Sequence, residues 1–304
     1  MEKRSAAMAT IGWIGLGHMG SRMTANLVKG GHTVLGFDLN PAAIEAAAVG
    51  GVKPVASLAE AVRDVDAVFT MLPKGEHVRA VYLGEGGVLA HAAPTTLLVD
   101  SSTIDIDSAR TLHETASESG FRFVDAPVSG GISGAAAGTL TFMVGGEPAA
   151  VDAAATLIEP MSGNIIRTGG ATSGQAAKIC NNMMLLINLA GCAEGAVLAD
   201  RLGLDPQVFW NVASVSSADS WALRTWYPVP GIVETAAANN GFAATFTAEL
   251  ANKDIGLALA AAESTGTVLP AAQLVRDQLQ HLVDSGRGDR DCSLIISHID
   301  PAIG

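Results

Sequence analysis

The stretch Ile14-Gly15-Leu16-Gly17-His18-Met19-Gly20 decides the fold of this chain. It follows a short apolar segment, residues 11–14, and precedes a helical pattern, residues 21–29. At such a junction the first glycine permits a tight turn, and the second lets backbone N–H groups approach a pyrophosphate. The third lets the helix pack closely on the strand, and the positive end of that helix faces the phosphates. The stretch therefore predicts a dinucleotide-binding unit.

The residue after the next strand indicates which dinucleotide is bound. A second apolar segment, residues 33–37, ends directly before Asp38. A carboxylate there accepts hydrogen bonds from the adenosine ribose hydroxyls and repels a 2′-phosphate, and residues 37–40 contain no arginine. We therefore expect NAD rather than NADP as the cofactor. The alternative is a surface aspartate that opens the turn at Asn40-Pro41.

The composition indicates the size of the protein, the partners it can bind and the compartment that suits it. The chain of 304 residues is long enough for one large or two medium domains, and 49% hydrophobic residues support a substantial core. The net charge of −12 argues against nucleic acid or an anionic membrane as a partner, although it does not exclude an anionic metabolite. Three scattered cysteines (Cys180, Cys192 and Cys292) lack the spacing of a disulfide framework or a metal site. We expect a cytoplasmic protein with no metal.

Two segments resemble targeting or membrane sequences without matching them. Residues 1–8 are basic but contain no long apolar run, so we expect a disordered tail over residues 1–9 rather than a secretory signal. Residues 183–199 are apolar but are interrupted by Asn188 and Glu194. A buried helix explains this second segment better than a bilayer span does.

Strand and helix patterns alternate as far as residue 168. Short, continuous apolar strands of this kind are typical of a parallel sheet between two helix layers. From Ser173 onward a long helix, to about Leu202, and further helical patterns follow without a convincing strand. We predict a Rossmann-type doubly wound α/β domain over residues 10–172 and an all-α domain over residues 173–304, joined by the long helix.

Lys178 and Asn182 lie four residues apart on that long helix and therefore share one face. Oxidation of an alcohol by hydride transfer must also remove the hydroxyl proton, and a lysine does this where its environment lowers its pKa. The asparagine can hold the same hydroxyl group. On spacing alone the alternative is favoured, namely a lysine with a solvated ammonium and an asparagine that satisfies a loop carbonyl.

The segment Asp125-Ala-Pro-Val-Ser-Gly-Gly131 follows a predicted strand and so lies at the ligand-binding edge of the sheet. Ser129 offers a hydroxyl, and Gly130 and Gly131 expose backbone N–H groups that suit a substrate carboxylate. The alternative is an ordinary glycine turn between a strand and a helix.

Four motifs resemble those of the β-hydroxyacid dehydrogenase family and span the chain beyond its tail. They are residues 15–27 (Gly-Leu-Gly-His-Met-Gly-Ser-Arg-Met-Thr-Ala-Asn-Leu), residues 125–131, residues 138–146 (Gly-Thr-Leu-Thr-Phe-Met-Val-Gly-Gly) and residues 174–182 (Gly-Gln-Ala-Ala-Lys-Ile-Cys-Asn-Asn). Residues 228–231, 239–240 and 252–257 are most similar to the branch of the family that oxidises 3-hydroxyisobutyrate in valine catabolism. The resemblance implies an NAD-dependent oxidoreductase that forms a homodimer or homotetramer.

The same resemblance assigns roles to individual residues. It makes Lys178 the catalytic acid/base and places the substrate on Asn182, Ser129, Gly130 and Gly131. It implies a cofactor site formed by Gly15, Leu16, Gly17, His18, Met19, Gly20, Asp38, Leu72, Pro73, His77, Thr103 and Lys253. Lys253 has an alternative as a helix-surface lysine paired with Asp254.

The resemblance indicates the reaction more narrowly than the substrate. Residues 221–227 depart from the family pattern, and we expect Arg224 and Trp226 to reshape the entrance to the substrate pocket. L-serine and tartronate semialdehyde or glycerate are alternative substrates on the same scaffold. A non-catalytic NAD-binding protein is the alternative of a different class, and the combined presence of the lysine, the asparagine and the serine-glycine loop argues against it.

Overall fold

The computed structural model describes residues 8–303, and these pack into two compact units that meet in sequence between Lys178 and Ile179. Residues 1–7 of the predicted tail lie outside the described part of the chain. Ala9 is tied to the end of a strand, since its N–H donates to His32 Nδ1 (3.2 Å) and its carbonyl accepts from Thr33 N (3.0 Å).

The first unit contains one mixed sheet. Its strands are β1 (Thr10–Ile14), β2 (Thr33–Phe37), β3 (Lys53–Pro54), β4 (Ala67–Thr70), β5 (Leu97–Asp100), β6 (Arg122–Asp125), β7 (Val128–Ser129), β8 (Leu140–Gly146) and β9 (Ser162–Gly169). Their order is β3-β2-β1-β4-β5-β6-β8-β7, and β9 pairs with β8. Strands β1 to β6 are parallel, whereas β8 is antiparallel to both β6 and β7.

Helices cover both faces of this sheet. They are α1 (Gly20–Lys29), α2 (Pro41–Val49), α3 (Leu58–Val62), α4 (Gly75–Leu83), α5 (Val88–His91), α6 (Ile106–Glu118), α7 (Gly131–Ala137) and α8 (Pro148–Ile158). Because neighbouring residues of a strand face opposite sides, Trp13 joins one apolar cluster, with Leu27, and Ile14 joins the other, with Leu112. The predicted doubly wound fold is confirmed.

The strand register brings the loops of the site to one edge. Ile14 of β1 is level with Phe37 of β2 and Thr70 of β4, and Thr70 is level with Asp100 of β5. Asp100 is in turn level with the last residue of β6. The chain moves outward in opposite directions from β1 and β4, and ligands of such sheets bind beside this point, at the carboxyl ends of the strands.

The second unit is helical, as predicted. It contains most of α9 (Ser173–Arg201), then α10 (Pro206–Ala213), α11 (Trp221–Thr225), α12 (Ala248–Thr265) and α13 (Pro270–Leu282). Its core includes Leu189, Ile255, Leu279 and Ile295. Near the end of the unit, Cys292–His298 forms a 3₁₀ helix. Beyond residue 170, the described part of the chain forms no strand, although a single bridge joins Thr247 to Asp291.

The helix α9 belongs to both units. We predicted a boundary before Ser173, whereas the packing divides the chain after Lys178, because the first turn of α9 is hydrogen-bonded to loops of the sheet. By length and composition α9 could cross a membrane, but 44% of its most apolar stretch of 18 residues is buried inside the protein. Core helices of soluble proteins meet the same criterion.

Candidate functional site

The glycine-rich loop between β1 and α1 has the geometry of a dinucleotide turn. Gly15 takes φ +96°, its N–H donates to Phe37 O (3.0 Å), and its carbonyl accepts from Trp13 Nε1 (2.9 Å). A Cβ on Gly20 would lie 2.0 Å from Gly15 O, so only glycine lets α1 begin this close to the turn. A Cβ on Gly17 would meet nothing within 4 Å. The turn at Gly15 is therefore fixed by hydrogen bonds and close packing, whereas the space beside Gly17 is open.

The start of α1 fits the pyrophosphate of a dinucleotide. No side chain in residues 8–303 caps this helix, whose N-cap residue is Met19. Gly17 and His18 are exposed and Met19 is half-buried. Backbone N–H groups at an uncapped helix start bind anions, and the helix dipole favours the negative charge.

Asp38 has a structural role that the sequence did not reveal. Its Oδ2 accepts from Leu16 N (2.6 Å), and its Oδ1 accepts from Asn40 N (2.8 Å). The carboxylate thus joins the glycine-rich loop to the turn after β2. Each carboxylate oxygen has a second lone pair, so these bonds leave acceptor capacity for a ribose hydroxyl.

Two further predicted cofactor segments follow β4 and β5. Leu72 N donates to Ser102 Oγ (2.8 Å), which donates in turn to Asp100 Oδ1 (2.6 Å). Pro73 is exposed and Thr103 is half-buried in the same pair of loops. The loops after β4 and β5 are therefore held together at the edge of the sheet.

Asp100 is a buried carboxyl beneath these loops. Burial raises the pKa of its carboxyl from 3.8 to about 6. Hydrogen bonds from Ser102 and Thr70 lower this pKa, and the nearby charge of Asp125 raises it by a smaller amount. Neither the motifs nor the apolar pattern predicted this group.

His77 is less closely tied to the loops than the other predicted cofactor residues. It lies in the first turn of α4, its side chain is 51% exposed, and its Nε2 is 3.8 Å from Glu76 Oε1. Its assignment stays a prediction.

The loop after β6 has the open glycine backbone that was predicted. Ser129 ends β7 and pairs with Thr141 of β8, while Gly130 (φ +130°) and Gly131 (φ +62°) are exposed where α7 begins. From the other side, the buried Asn26 of α1 donates to Ala135 O in α7 (2.7 Å). The pattern of apolar residues in α1 could not predict this contact.

Lys178 is buried at the end of the first unit, 7% exposed. Three residues earlier, Gln175 Nε2 donates to Ser102 O (2.7 Å), and Gln175 Oε1 accepts from Ile104 N (3.1 Å). These bonds connect the start of α9 to the loop after β5, which contains Thr103. The lysine thus comes from a helix turn that is fixed to the predicted cofactor edge.

The remaining predicted residues lie in the second unit. Asn182 is 4% exposed, and its Nδ2 donates to Asp254 Oδ2 (2.6 Å). Lys253 Nζ lies 3.0 Å from Asp254 Oδ1, as the alternative interpretation proposed, yet its side chain is only 21% exposed. Asp254 therefore connects two predicted site residues. Its position next to a lysine in the sequence did not predict that it is buried.

Arg224 and Trp226 differ in their surroundings. Arg224 pairs with Asp219 (3.0 Å), while Trp226 is buried in the core, edge-on to Trp221 and against Phe246. The second unit also contains a cavity of about 420 Å³ between α9, α10 and α11. Neither Asn182 nor Lys253 lines it.

Two family models match the chain. Residues 10–170 match the NAD binding domain of 6-phosphogluconate dehydrogenase. Residues 172–299 match the NAD-binding domain of NADP-dependent 3-hydroxyisobutyrate dehydrogenase.

Individual proteins show the same similarity. A probable 3-hydroxyisobutyrate dehydrogenase of Mycobacterium tuberculosis is 48% identical over 89% of this chain and 91% of its own length. An NAD-dependent L-serine dehydrogenase of Pseudomonas aeruginosa is 41% identical over 98% of this chain and all of its own. The solved structure of M. tuberculosis 3-hydroxyisobutyrate dehydrogenase with L-serine has a TM-score of 0.90 at 46% identity, covering 96% of this chain and 99% of that one.

Proposed function

We propose a substrate and a mechanism for this chain, which belongs to the β-hydroxyacid dehydrogenase family and is an NAD-dependent oxidoreductase of the 3-hydroxyisobutyrate dehydrogenase type. The reaction is the reversible oxidation of 3-hydroxyisobutyrate to methylmalonate semialdehyde, a step of valine catabolism. The observation that supports it most strongly is the pair Lys178 and Asn182, both buried and one turn apart on α9. A buried lysine beside a buried amide suits a small polar substrate better than a structural role in an apolar helix.

In this mechanism the chain binds, orients and deprotonates the hydroxy acid. Ser129 and the N–H groups of Gly130 and Gly131 hold the carboxylate, and Asn182 holds the hydroxyl. Lys178 Nζ takes the hydroxyl proton as the carbonyl forms and returns it in the reverse reaction. Bound NAD supplies the hydride acceptor.

NAD is favoured over NADP by the carboxylate after β2. Asp38 is held against the glycine-rich loop by its bond with Leu16 N, so a 2′-phosphate at the adenosine ribose would lie beside a fixed negative charge. The loop and the uncapped start of α1 would hold the pyrophosphate.

L-serine is the second candidate substrate. It differs from 3-hydroxyisobutyrate by an ammonium in place of a methyl group, and both carry the carboxylate and the primary hydroxyl that the mechanism uses. The L-serine dehydrogenase of P. aeruginosa, similar over nearly the whole chain, supports this candidate.

The deciding experiment measures NADH formation at alkaline pH with 3-hydroxyisobutyrate, L-serine and glycerate, each with NAD and with NADP. We expect the highest kcat/KM with 3-hydroxyisobutyrate and NAD. A preference for L-serine would retain the mechanism and replace the substrate. Tight NADH binding without turnover of any hydroxy acid would contradict the proposed function.

We propose further that the protein is a cytoplasmic homodimer or homotetramer. Exposed apolar side chains on α9, directly after it and on α10, among them Leu198, Leu202, Val208 and Val212, would be covered in such an assembly. The three free cysteines suit a reducing compartment. A monomeric mass from light scattering would contradict the oligomer.

A further inference from the structure

The carboxylate of Asp125, at the end of β6, is bound from three sides. Its Oδ1 accepts from His113 Nε2 (2.7 Å) and from Thr172 N (3.1 Å), and its Oδ2 accepts from Gln175 N (2.8 Å). The residue is 0% exposed. Two of the three donors are backbone N–H groups at the start of α9, and the third comes from α6.

The start of α9 is seated directly on the sheet around this carboxylate. A Cβ on Gly174 would lie 2.7 Å from Asp125 O and 2.4 Å from Met143 O, so only glycine permits the approach. A Cβ on Gly145 of β8 would likewise lie 2.7 Å from Gly174 N. Thr172, directly before the helix, has φ +69°, which L side chains rarely adopt, and its N–H is held by the carboxylate.

Lys178 follows Gln175 by three residues, which is less than one helical turn. A backbone fixed at Gln175 therefore fixes the position of Lys178 as well. A negative charge at the N-terminus of a helix is favourable, and N–H bonds to a carboxylate are stronger than those to a neutral oxygen. We propose that Asp125 is the positioning residue of the reaction: it fixes the first turn of α9 and so aims Lys178 at the substrate hydroxyl. This proposal rests on the proposed role of Lys178 as acid/base.

Asp125 acts through the helix and not on the substrate, because it has no exposed surface and both of its oxygens are engaged. His113 fixes the carboxylate in turn, and its ring packs edge-on against Phe123 (4.8 Å between centroids). The substrate loop is held separately, by the pairing of Val128 and Ser129 with β8. Loss of the carboxylate should therefore affect the proton transfer more than the binding of the hydroxy acid.

The test is the nearly isosteric substitution Asp125→Asn. An amide has one acceptor oxygen, so its NH₂ group would face a backbone N–H or His113 and the first turn of α9 would shift. A catalytic group displaced by about 1 Å lowers the reaction rate on the order of a hundredfold. We therefore expect kcat of Asp125→Asn to fall at least tenfold. KM for the hydroxy acid and Kd for NADH should stay within twofold.

A double-mutant cycle separates positioning from a general structural defect. In single-turnover measurements, Asp125→Asn combined with Lys178→Ala should react within twofold of Lys178→Ala alone, since no lysine remains to be aimed. The matched control is Asp291→Asn, another fully buried carboxylate, which accepts from Thr245 N and Ser293 N in the second unit. At the same interval below each Tm, the control should keep kcat within twofold.

Three results would overturn the proposal: an unchanged kcat in Asp125→Asn, an equal loss in Asp291→Asn, or a loss in the double variant that multiplies the two single losses. If Lys178→Ala itself keeps its kcat, the proposed function is wrong at Lys178 whatever Asp125 does. Should Asp125→Asn not fold, His113→Ala leaves the carboxylate in place and removes one donor. It should lower kcat about threefold with Lys178 present and not in the Lys178→Ala background, and no loss would equally overturn the proposal.

Discussion

The two units hold their predicted site residues in different ways. In the α/β unit the decisive donors are backbone N–H groups, with Leu16 N on Asp38, Leu72 N on Ser102 and Gln175 N on Asp125. In the helical unit the contacts join side chains, Asn182 and Lys253 with Asp254. A backbone donor is fixed by the sheet, whereas a side-chain pair can be exchanged without altering the fold. We therefore expect the fixed turns of the α/β unit to tolerate substitution less well than the Asp254 contacts of the helical unit.

Removal of the proposed acid/base should have the largest effect. We expect Lys178→Ala to lower kcat by about 10³-fold, within the range that general acid–base groups contribute, and to leave Kd for NADH unchanged. Steady-state kinetics and NADH fluorescence titration test this. Lys29→Ala, at the exposed end of α1, is the matched control and should keep full activity. More than a few per cent of wild-type kcat in Lys178→Ala would remove this residue from the mechanism.

The side-chain contacts of the helical unit should come next. Asp254→Ala leaves the buried Asn182 amide without its acceptor, so we expect kcat/KM to fall tenfold to a hundredfold, on the order of a hydrogen bond to a charged group. Asp254→Asn keeps an acceptor oxygen and should lose less. Glu263→Ala, exposed on the same helix, should change kcat/KM less than twofold. Equal kinetics for Asp254→Ala and Glu263→Ala would mean that Asn182 needs no support.

Cofactor preference should respond more weakly. Asp38→Ala removes both the charge and the acceptor of Leu16 N, and we expect the NAD to NADP ratio of kcat/KM to fall roughly tenfold. Asp38→Asn keeps an acceptor for Leu16 N and removes the charge alone. If charge repulsion sets the preference, both variants should shift the ratio equally. A shift in Asp38→Ala alone would instead make loop geometry the cause.

The smallest effect concerns the pH dependence of stability. Because the carboxyl of Asp100 has a pKa of about 6 in the folded chain against 3.8 otherwise, the folded state binds more protons between these values. Its contribution to stability is present at low pH and is lost as the pH rises through 6. From pH 5 to pH 8 the loss of stability is on the order of 1 kcal/mol. Asp100→Asn should abolish this pH dependence. Urea unfolding of both proteins at the two pH values measures the difference, and an identical pH dependence would exclude Asp100 as its source.

Local signals in the sequence were sufficient for the fold. The loop around Gly15 and the continuous apolar strands predicted the doubly wound sheet, and the change of pattern at Ser173 predicted the helical unit. The two-residue strand β7 escaped notice because it is held by pairing with β8 and not by any apolar pattern of its own.

The candidate site was predictable only where a motif marks it. Lys178 and the loop of Ser129 stand in recognisable segments, whereas Asp254 and Gln175 act through partners distant in the chain. Gln175 bonds residues more than 70 positions away, and no periodicity encodes such a contact. Asp38 was identified by its position after β2, but its bond to Leu16 N depends on the register of β1 and β2.

The seat of α9 on the sheet also bears on the order in which the nascent chain can fold. The last strand ends at Gly169, yet Asp125, Ser102 O and Ile104 N take partners from Thr172 and Gln175. A chain emerging from the ribosome that had exposed only its nine strands would have to keep these polar groups hydrated. Since domains fold as units during synthesis, completion of the sheet should wait for the first turns of a helix that mostly belongs to the next unit.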